Sequence, residues 1–242
     1  LKPGGSARSP ELPERIEAVL LDAGGVLIDL DYGYVRRLIE ARHGTVPEDE
    51  LSQAEAVARK EINETVRAGG RVGNSWRDYF HIILGRVGVP GDAHAELIDS
   101  MWEAHQRVGL WTVACEGALE AVAELKRLGL RIGVVSNAEG TVARNLDDAG
   151  FQGSFETVVD SHLVGVEKPD PAIFRIALER MSLHADRAVY VGDLPEVDVK
   201  GARAAGIVPV LVDRHDIHSD VDVTRIRSLG ELPPMIGGAG SD

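Results

Sequence analysis

Leu20-Leu21-Asp22-Ala23-Gly24-Gly25-Val26-Leu27 carries an apolar run into a glycine turn and leaves one carboxylate, Asp22, at the junction. An unbroken apolar run of this kind reads as a strand buried on both faces, the habit of parallel sheets covered by helices. The turn then frees the chain from the sheet, so Asp22 stands at an edge where chemistry has room. Three further polar groups follow in order. Ser136 ends the run Arg131-Ile-Gly-Val-Val135, Lys168 stands in Gly165-Val-Glu-Lys-Pro-Asp-Pro171, and Asp193 ends the run Ala188-Val-Tyr-Val-Gly192. A carboxylate, a hydroxyl, a cation and a second carboxylate are the parts of a phosphoryl-transfer site, with one part missing.

Outward from these residues, short runs rich in Val, Ile and Leu at 18–22, 131–136, 155–160, 188–192 and 207–212 alternate with amphipathic stretches. That alternation predicts an α/β fold, a Rossmann-like doubly wound parallel sheet with helices on both faces. Helices are expected over 116–128, 141–149 and 197–205, each stopped by a glycine (Gly129, Gly150, Gly206). Asp170 precedes Pro171 as a helix cap precedes a first-turn proline. In such a sheet the carboxyl ends of the strands share one edge, which would bring Asp22, Ser136 and Asp193 together.

The alternation breaks between residues 32 and 108, where helical patterns occupy 34–42, 48–68, 75–87 and 94–107. This predicts an all-helical insertion at 32–108 in a core made of 14–31 and 109–230, with flexible tails at 1–13 and 231–242. Trp76, Tyr79, Phe80, Trp102 and His105 read as the interior of that helical unit, and Asp29 and Asp31 as the start of the linker into it.

With 242 residues and 44% hydrophobic content the chain is long enough to bury a sizeable core. A net charge of −13 without a basic cluster repels nucleic acid and anionic lipid, so neither is expected as a partner. No apolar run approaches the roughly 18 residues of a membrane span, and the first ten residues hold no apolar signal core, which predicts a soluble, cytoplasmic protein. Cys115 is the single cysteine and reads as a packing residue.

Over about residues 14–215 the four motifs resemble those of the haloacid dehalogenase-like (HAD) hydrolase superfamily, subfamily I, with a helical C1-type cap inserted after the first motif. The resemblance implies a nucleophilic role for Asp22, which would form an aspartyl-phosphate. It implies that Ser136 and Asn137 bind the phosphoryl oxygens and that Lys168 neutralises the nucleophile and the transferring group. It also implies a Mg2+ ion held by Asp22, the backbone carbonyl of Gly24 and Asp193, with Asp198 as a supporting carboxylate. The substrate would be a small phosphorylated metabolite; oligomeric state is left open.

Phosphatases of this superfamily usually carry a second aspartate two residues after the nucleophile, as acid for the leaving alcohol. Here that residue is Gly24. Acyl or aryl phosphates, whose leaving groups need little protonation, should suffer least. Glu139 and His162 are the candidate replacements, although surface or turn roles suit both. Gly24 also fits 2-haloacid dehalogenation, which needs neither acid nor metal, but dehalogenases of the family carry a Ser-Asn-type segment where this chain has Gly192-Asp193. Carbon–phosphorus cleavage would need a cap lysine, for which only Lys60 is present. A phosphate-binding or partner-binding protein that lost catalysis with Gly24 is the non-enzymatic alternative.

Overall fold

The structure, a computed structural model, describes residues 12–70 and 75–237. Most of the N-terminal stretch expected to be a tail lies outside those residues. The described residues fall into two compact units, one holding the chain up to Leu27 and from Ala114 onward, the other Ile28–Val113.

The first unit is built on six strands: β1 (Ala18–Leu21), β4 (Arg131–Ser136), β5 (Thr157–Asp160), β6 (Ala188–Gly192), β7 (Val208–Val212) and β8 (Thr224–Ile226). They form one sheet in the order β5-β4-β1-β6-β7-β8, and every neighbouring pair runs parallel. The Rossmann-like core expected from the apolar runs is therefore present. All four residues of β1 and all five of β6 are buried, as expected of strands covered on both faces. Each fully buried Val or Leu contributes roughly 1.5–3 kcal/mol of transfer free energy, so these central strands fix the sheet.

Helices α5 (Ala118–Arg127), α6 (Val142–Leu146), α7 (Ser161–Val164), α8 (Pro171–Arg180) and α9 (Lys200–Ala204) cover the sheet crossovers. The helix expected over 141–149 shortens to α6 and passes into a π turn, Asp147–Phe151, because Gly150 takes φ 101° and ends the helical path. A second π turn, Pro195–Val199, leads into α9 and begins before the expected start at residue 197. Within the stretch expected as a tail, residues 232–237 are helical and 238–242 lie outside the described residues. Leu232–Gly237 forms α10, anchored by the fully buried Leu232, so one leucine at the right spacing outweighs a Gly-rich composition. The described chain holds no helix long and apolar enough to cross a membrane.

The second unit holds α1 (Tyr32–Glu40), α2 (Glu48–Arg67), α3 (Ser75–Arg86) and α4 (His94–Val108). Strand β2 (Ile28–Leu30) at its start pairs with β3 (Trp111–Ala114) at its end. The unit thus begins at Ile28 and ends at Val113, wider than the 32–108 of the helical pattern, since three- and four-residue strands leave no readable periodicity. Asp31 caps α1 by accepting the Tyr34 N–H at 2.7 Å. The core of the helical unit is Val35, Ile39, Leu51, Phe80, Ile83, Leu97 and Met101. Phe80 and His105 are buried in it, while Trp102 is partly exposed at 38% and touches Trp76 edge-on. Buried Glu55 ties α1, α2 and α3 together: it accepts the hydroxyls of Tyr32 and Tyr79, and Arg59 at 2.9 Å.

Candidate active site

Strand β1 lies between β4 and β6, and Leu21 is level with Val134 on one side and Val191 on the other. The chain therefore leaves the sheet at three neighbouring points, carrying Asp22, Ser136 and Asp193 to one edge. Asp22 stays tied to β6 through its N–H, which donates to the Val191 carbonyl at 2.8 Å. Its Oδ1 accepts the Ala23 N–H at 2.7 Å and lies 2.9 Å from Lys168 Nζ. Ser136 is buried at the end of β4.

Lys168 reaches this edge from the segment between α7 and α8. The side-chain amide of Asn137 fixes its backbone at two points: Oδ1 accepts the Lys168 N–H at 2.7 Å, and Nδ2 donates to the Lys168 carbonyl at 3.0 Å. Asp170 then caps α8 by accepting the Ala172 N–H at 2.9 Å, which ends the segment. The Lys168 side chain is buried, and its Nζ donates to Asp198 Oδ1 at 2.7 Å and to the Tyr190 hydroxyl at 2.9 Å as well as pairing with Asp22. Burial, the largest single influence, favours the neutral amine; Asp198 and Asp22 together outweigh it and hold Lys168 above the usual lysine value. For Asp22 burial also dominates and raises its pKa; Lys168 pulls it down, and Asp198 pushes it further up. One cation thus serves two carboxylates, and Asp22 carries the strain of the uncompensated charge.

Asp198, fully buried in the π turn, holds the opposite side of the site. Its Oδ2 accepts the N–H groups of Asp193 at 3.1 Å and Leu194 at 2.9 Å, which shapes the turn that presents Asp193. Its approach is possible because residue 192 is glycine: a Cβ there would lie 2.4 Å from both Cβ and Cγ of Asp198. Gly192→Ala is expected to force Asp198 off both Lys168 and the Asp193 turn, at a cost of about 1–3 kcal/mol from overpacking. A thermal melt should show this as a drop of several degrees, and an unchanged melting temperature would show that Asp198 yields freely.

A model of the haloacid dehalogenase-like hydrolase family matches residues 16–206, which includes every residue of this constellation. The chain belongs to the haloacid dehalogenase-like hydrolase family. This hydrolase is 34% identical to the phosphoserine phosphatase of Thermus thermophilus over 63% of its own length and 60% of that protein's, so it spans less than two thirds of that relative. It is 32% identical to the phosphoglycolate phosphatase of Rhodospirillum rubrum, covering 81% of this chain and 78% of that one. In fold it is similar to the HAD-hydrolase YfnB of Bacillus subtilis, solved bound to magnesium, with a TM-score of 0.69 at 19% identity over 92% of this chain and 99% of that one. It is also similar to a 2-haloacid dehalogenase of Pseudomonas syringae, with a TM-score of 0.58 at 24% identity over the same shares, 92% and 99%.

In the hydrolase, carboxylate oxygens of Asp22, Asp193 and Asp198 lie within 4.8 Å of one another, a donor set of oxygen alone. Asp198 is the member whose two oxygens already serve Lys168, Tyr190 and two backbone N–H groups. Asp22 and Asp193 are therefore the pair suited to a small hard cation. Gly25 adopts φ 75°, and Gly24 is not among the glycines at positive φ.

The loop after β4 is pinned by residues that sequence reasoning did not single out. Asp160, at the end of β5, accepts the N–H groups of Gly140 at 2.9 Å and His162 at 3.0 Å. Ser161 Oγ exchanges hydrogen bonds with the N–H and carbonyl of Ala138, each at 3.1 Å. His162 is an exposed residue of α7 and Glu139 a half-buried one in the pinned loop. Tyr190 was missed as well. Its signal was available, since a tyrosine inside a fully buried strand needs a partner for its hydroxyl.

Proposed function

We propose that this hydrolase is a Mg2+-dependent phosphatase acting on a small phosphorylated metabolite through an aspartyl-phosphate on Asp22. The observation that carries the reading is the joining of Asp22, Lys168, Asp193 and Asp198 in one cluster: dehalogenation requires no acidic partner for its nucleophile, and here two further carboxylates stand beside it. The oxygen donor set suits Mg2+, with Asp22, Asp193 and the Gly24 carbonyl as its protein ligands. When bound, the ion would neutralise charge on the phosphoryl group.

Asp22 attacks phosphorus, the bond to the leaving oxygen breaks, and that oxygen departs with the electron pair. Water then attacks the same phosphorus, the bond to Asp22 breaks, and the carboxylate is restored as inorganic phosphate leaves. Throughout, the Lys168 ammonium offsets charge on Asp22 and on the transferring oxygens. The Ser136 hydroxyl and the Asn137 backbone N–H serve as donors to those oxygens, while the Asn137 side chain keeps Lys168 in place. By the same reading the insertion over residues 32–108 is the C1-type cap of subfamily I.

The test is phosphate release from p-nitrophenyl phosphate and acetyl phosphate. Both substrates are expected to turn over with Mg2+, to stop when EDTA removes it, and to recover when it is restored. Gly24 favours one second reading, dehalogenation, whose leaving halide needs no proton. Folded protein that releases chloride from 2-chloropropionate and no phosphate from either phosphorylated substrate would establish it instead.

A further inference from the structure

An ammonium has three N–H donors, and Lys168 meets three acceptors: Asp22 Oδ1 at 2.9 Å, Asp198 Oδ1 at 2.7 Å and the Tyr190 hydroxyl at 2.9 Å. Two acceptors are charged and expected of such a site. The third is a tyrosine on β6, no part of which is exposed, so substrate cannot touch it. Its hydroxyl oxygen accepts from Lys168, and its proton is directed at Asp198 Oδ1, 2.9 Å away, or the Val135 carbonyl, 3.2 Å away. The ring is locked by packing edge-on to Phe174 at 4.8 Å and by the surrounding Leu20, Val135, Ile173 and Ala177. The oxygen is thereby a fixed point reached from three separate strands and loops.

We propose that Tyr190 is a positioning residue for phosphoryl transfer, its hydroxyl holding the Lys168 ammonium in the orientation that faces Asp22 and the transferring group. The inference rests on the phosphatase reading above. The three N–H groups of an ammonium turn together about the Cε–Nζ bond, and three fixed acceptors, one for each N–H, hold it in a single orientation. Burial, with Asp198 adding to it, keeps the phenol protonated, so Tyr190 acts as a neutral dipole and supplies no proton. Without it, one N–H of a buried cation would have no acceptor, and the ammonium would swing toward whatever oxygen remained.

The test is Tyr190→Phe, which keeps the ring and its contact with Phe174 and deletes the oxygen alone. With Mg2+ and p-nitrophenyl phosphate, kcat is expected to fall about 10- to 100-fold, the size of a lost hydrogen bond to a charged group, with KM changed by no more than about twofold. Orthovanadate, which mimics the transition state, should bind the variant more weakly by a similar factor in titration calorimetry. A hydroxyl that only stabilised the core would lower the melting temperature and leave the vanadate affinity of folded protein unchanged. Unchanged vanadate affinity overturns the proposal whatever kcat does. Parent protein that binds vanadate yet releases no phosphate would count against the phosphatase reading, and the affinity ratio would still decide the role of Tyr190. Parent protein that does neither overturns both. Should Tyr190→Phe not fold, Tyr190→Met, a flexible apolar side chain without an oxygen, is read in the same way on whatever fraction folds.

Discussion

Asp22→Asn is expected to abolish turnover, with a loss of at least about 10⁴-fold, the scale seen when a member of a catalytic unit is removed. The amide has the shape of the carboxylate and keeps an oxygen for the Ala23 N–H, but it lacks the charge needed to attack phosphorus. The fold should survive. Lys168 retains Asp198 and Tyr190, so the substitution does not leave a buried cation without partners. Stability should even benefit in Mg2+-free buffer. Burial raises the Asp22 pKa in the folded state, and a carboxyl so raised favours folding only at pH below its ordinary range. That contribution is lost as pH rises through the folded-state value, so near pH 7 the burial of Asp22 opposes folding and Asn removes the opposition. Thermal melts near pH 7 should therefore place Asp22→Asn at or above the parent, beside assays showing no phosphate release. Retained turnover would end the nucleophile assignment; a collapsed melt would mean that the charge on Asp22 is structural.

Three of the four candidate site residues were legible because each ends a long apolar run; Lys168 was read instead from its Lys-Pro-Asp-Pro turn. A strand such as β6, buried along its whole length, can be recognised from composition, and the first polar residue beyond it must lie at the sheet edge. Asp22, Ser136 and Asp193 share that property, so their convergence followed from the topology before any coordinates. The three-residue strands β2 and β8 could not be found in this way, because so few residues establish no period. The same limit set the expected edge of the helical unit at residue 32, four residues inside the pairing of β2 with β3. What sequence could not give was the use of side chains by other side chains. Asn137 is spent on the backbone of Lys168, Asp198 on four donors at once, and Tyr190 on the ammonium. Those assignments depend on which groups face one another across three crossovers, and no local pattern records it.

Gly24→Asp should produce the largest gain available in this chain. Gly24 is half-buried in the turn just after Asp22 and is not at positive φ, so an aspartate can enter without backbone strain; Gly25, at φ 75°, offers no such freedom. The new carboxyl would stand two residues beyond the nucleophile, where it can protonate a departing alcohol and then take a proton from the attacking water. General acid–base assistance of this kind is worth about 10²–10⁴-fold, or roughly 3–5 kcal/mol of barrier. The gain must depend on the leaving group. An alkoxide leaves poorly without a proton, whereas acetate and p-nitrophenolate are stable anions, so kcat/KM should rise steeply for glycerol phosphate and little for acetyl phosphate. The ratio between these two substrates, in parent and variant, is the decisive quantity, because a change in Mg2+ affinity or in folded fraction would scale both alike. Equal gains on both would place the effect on the metal and not on proton transfer. No gain on either, with Mg2+ binding preserved, would mean that proton delivery does not limit this enzyme, and the supply of protons would then have to be sought in side chains outside the Asp22 motif.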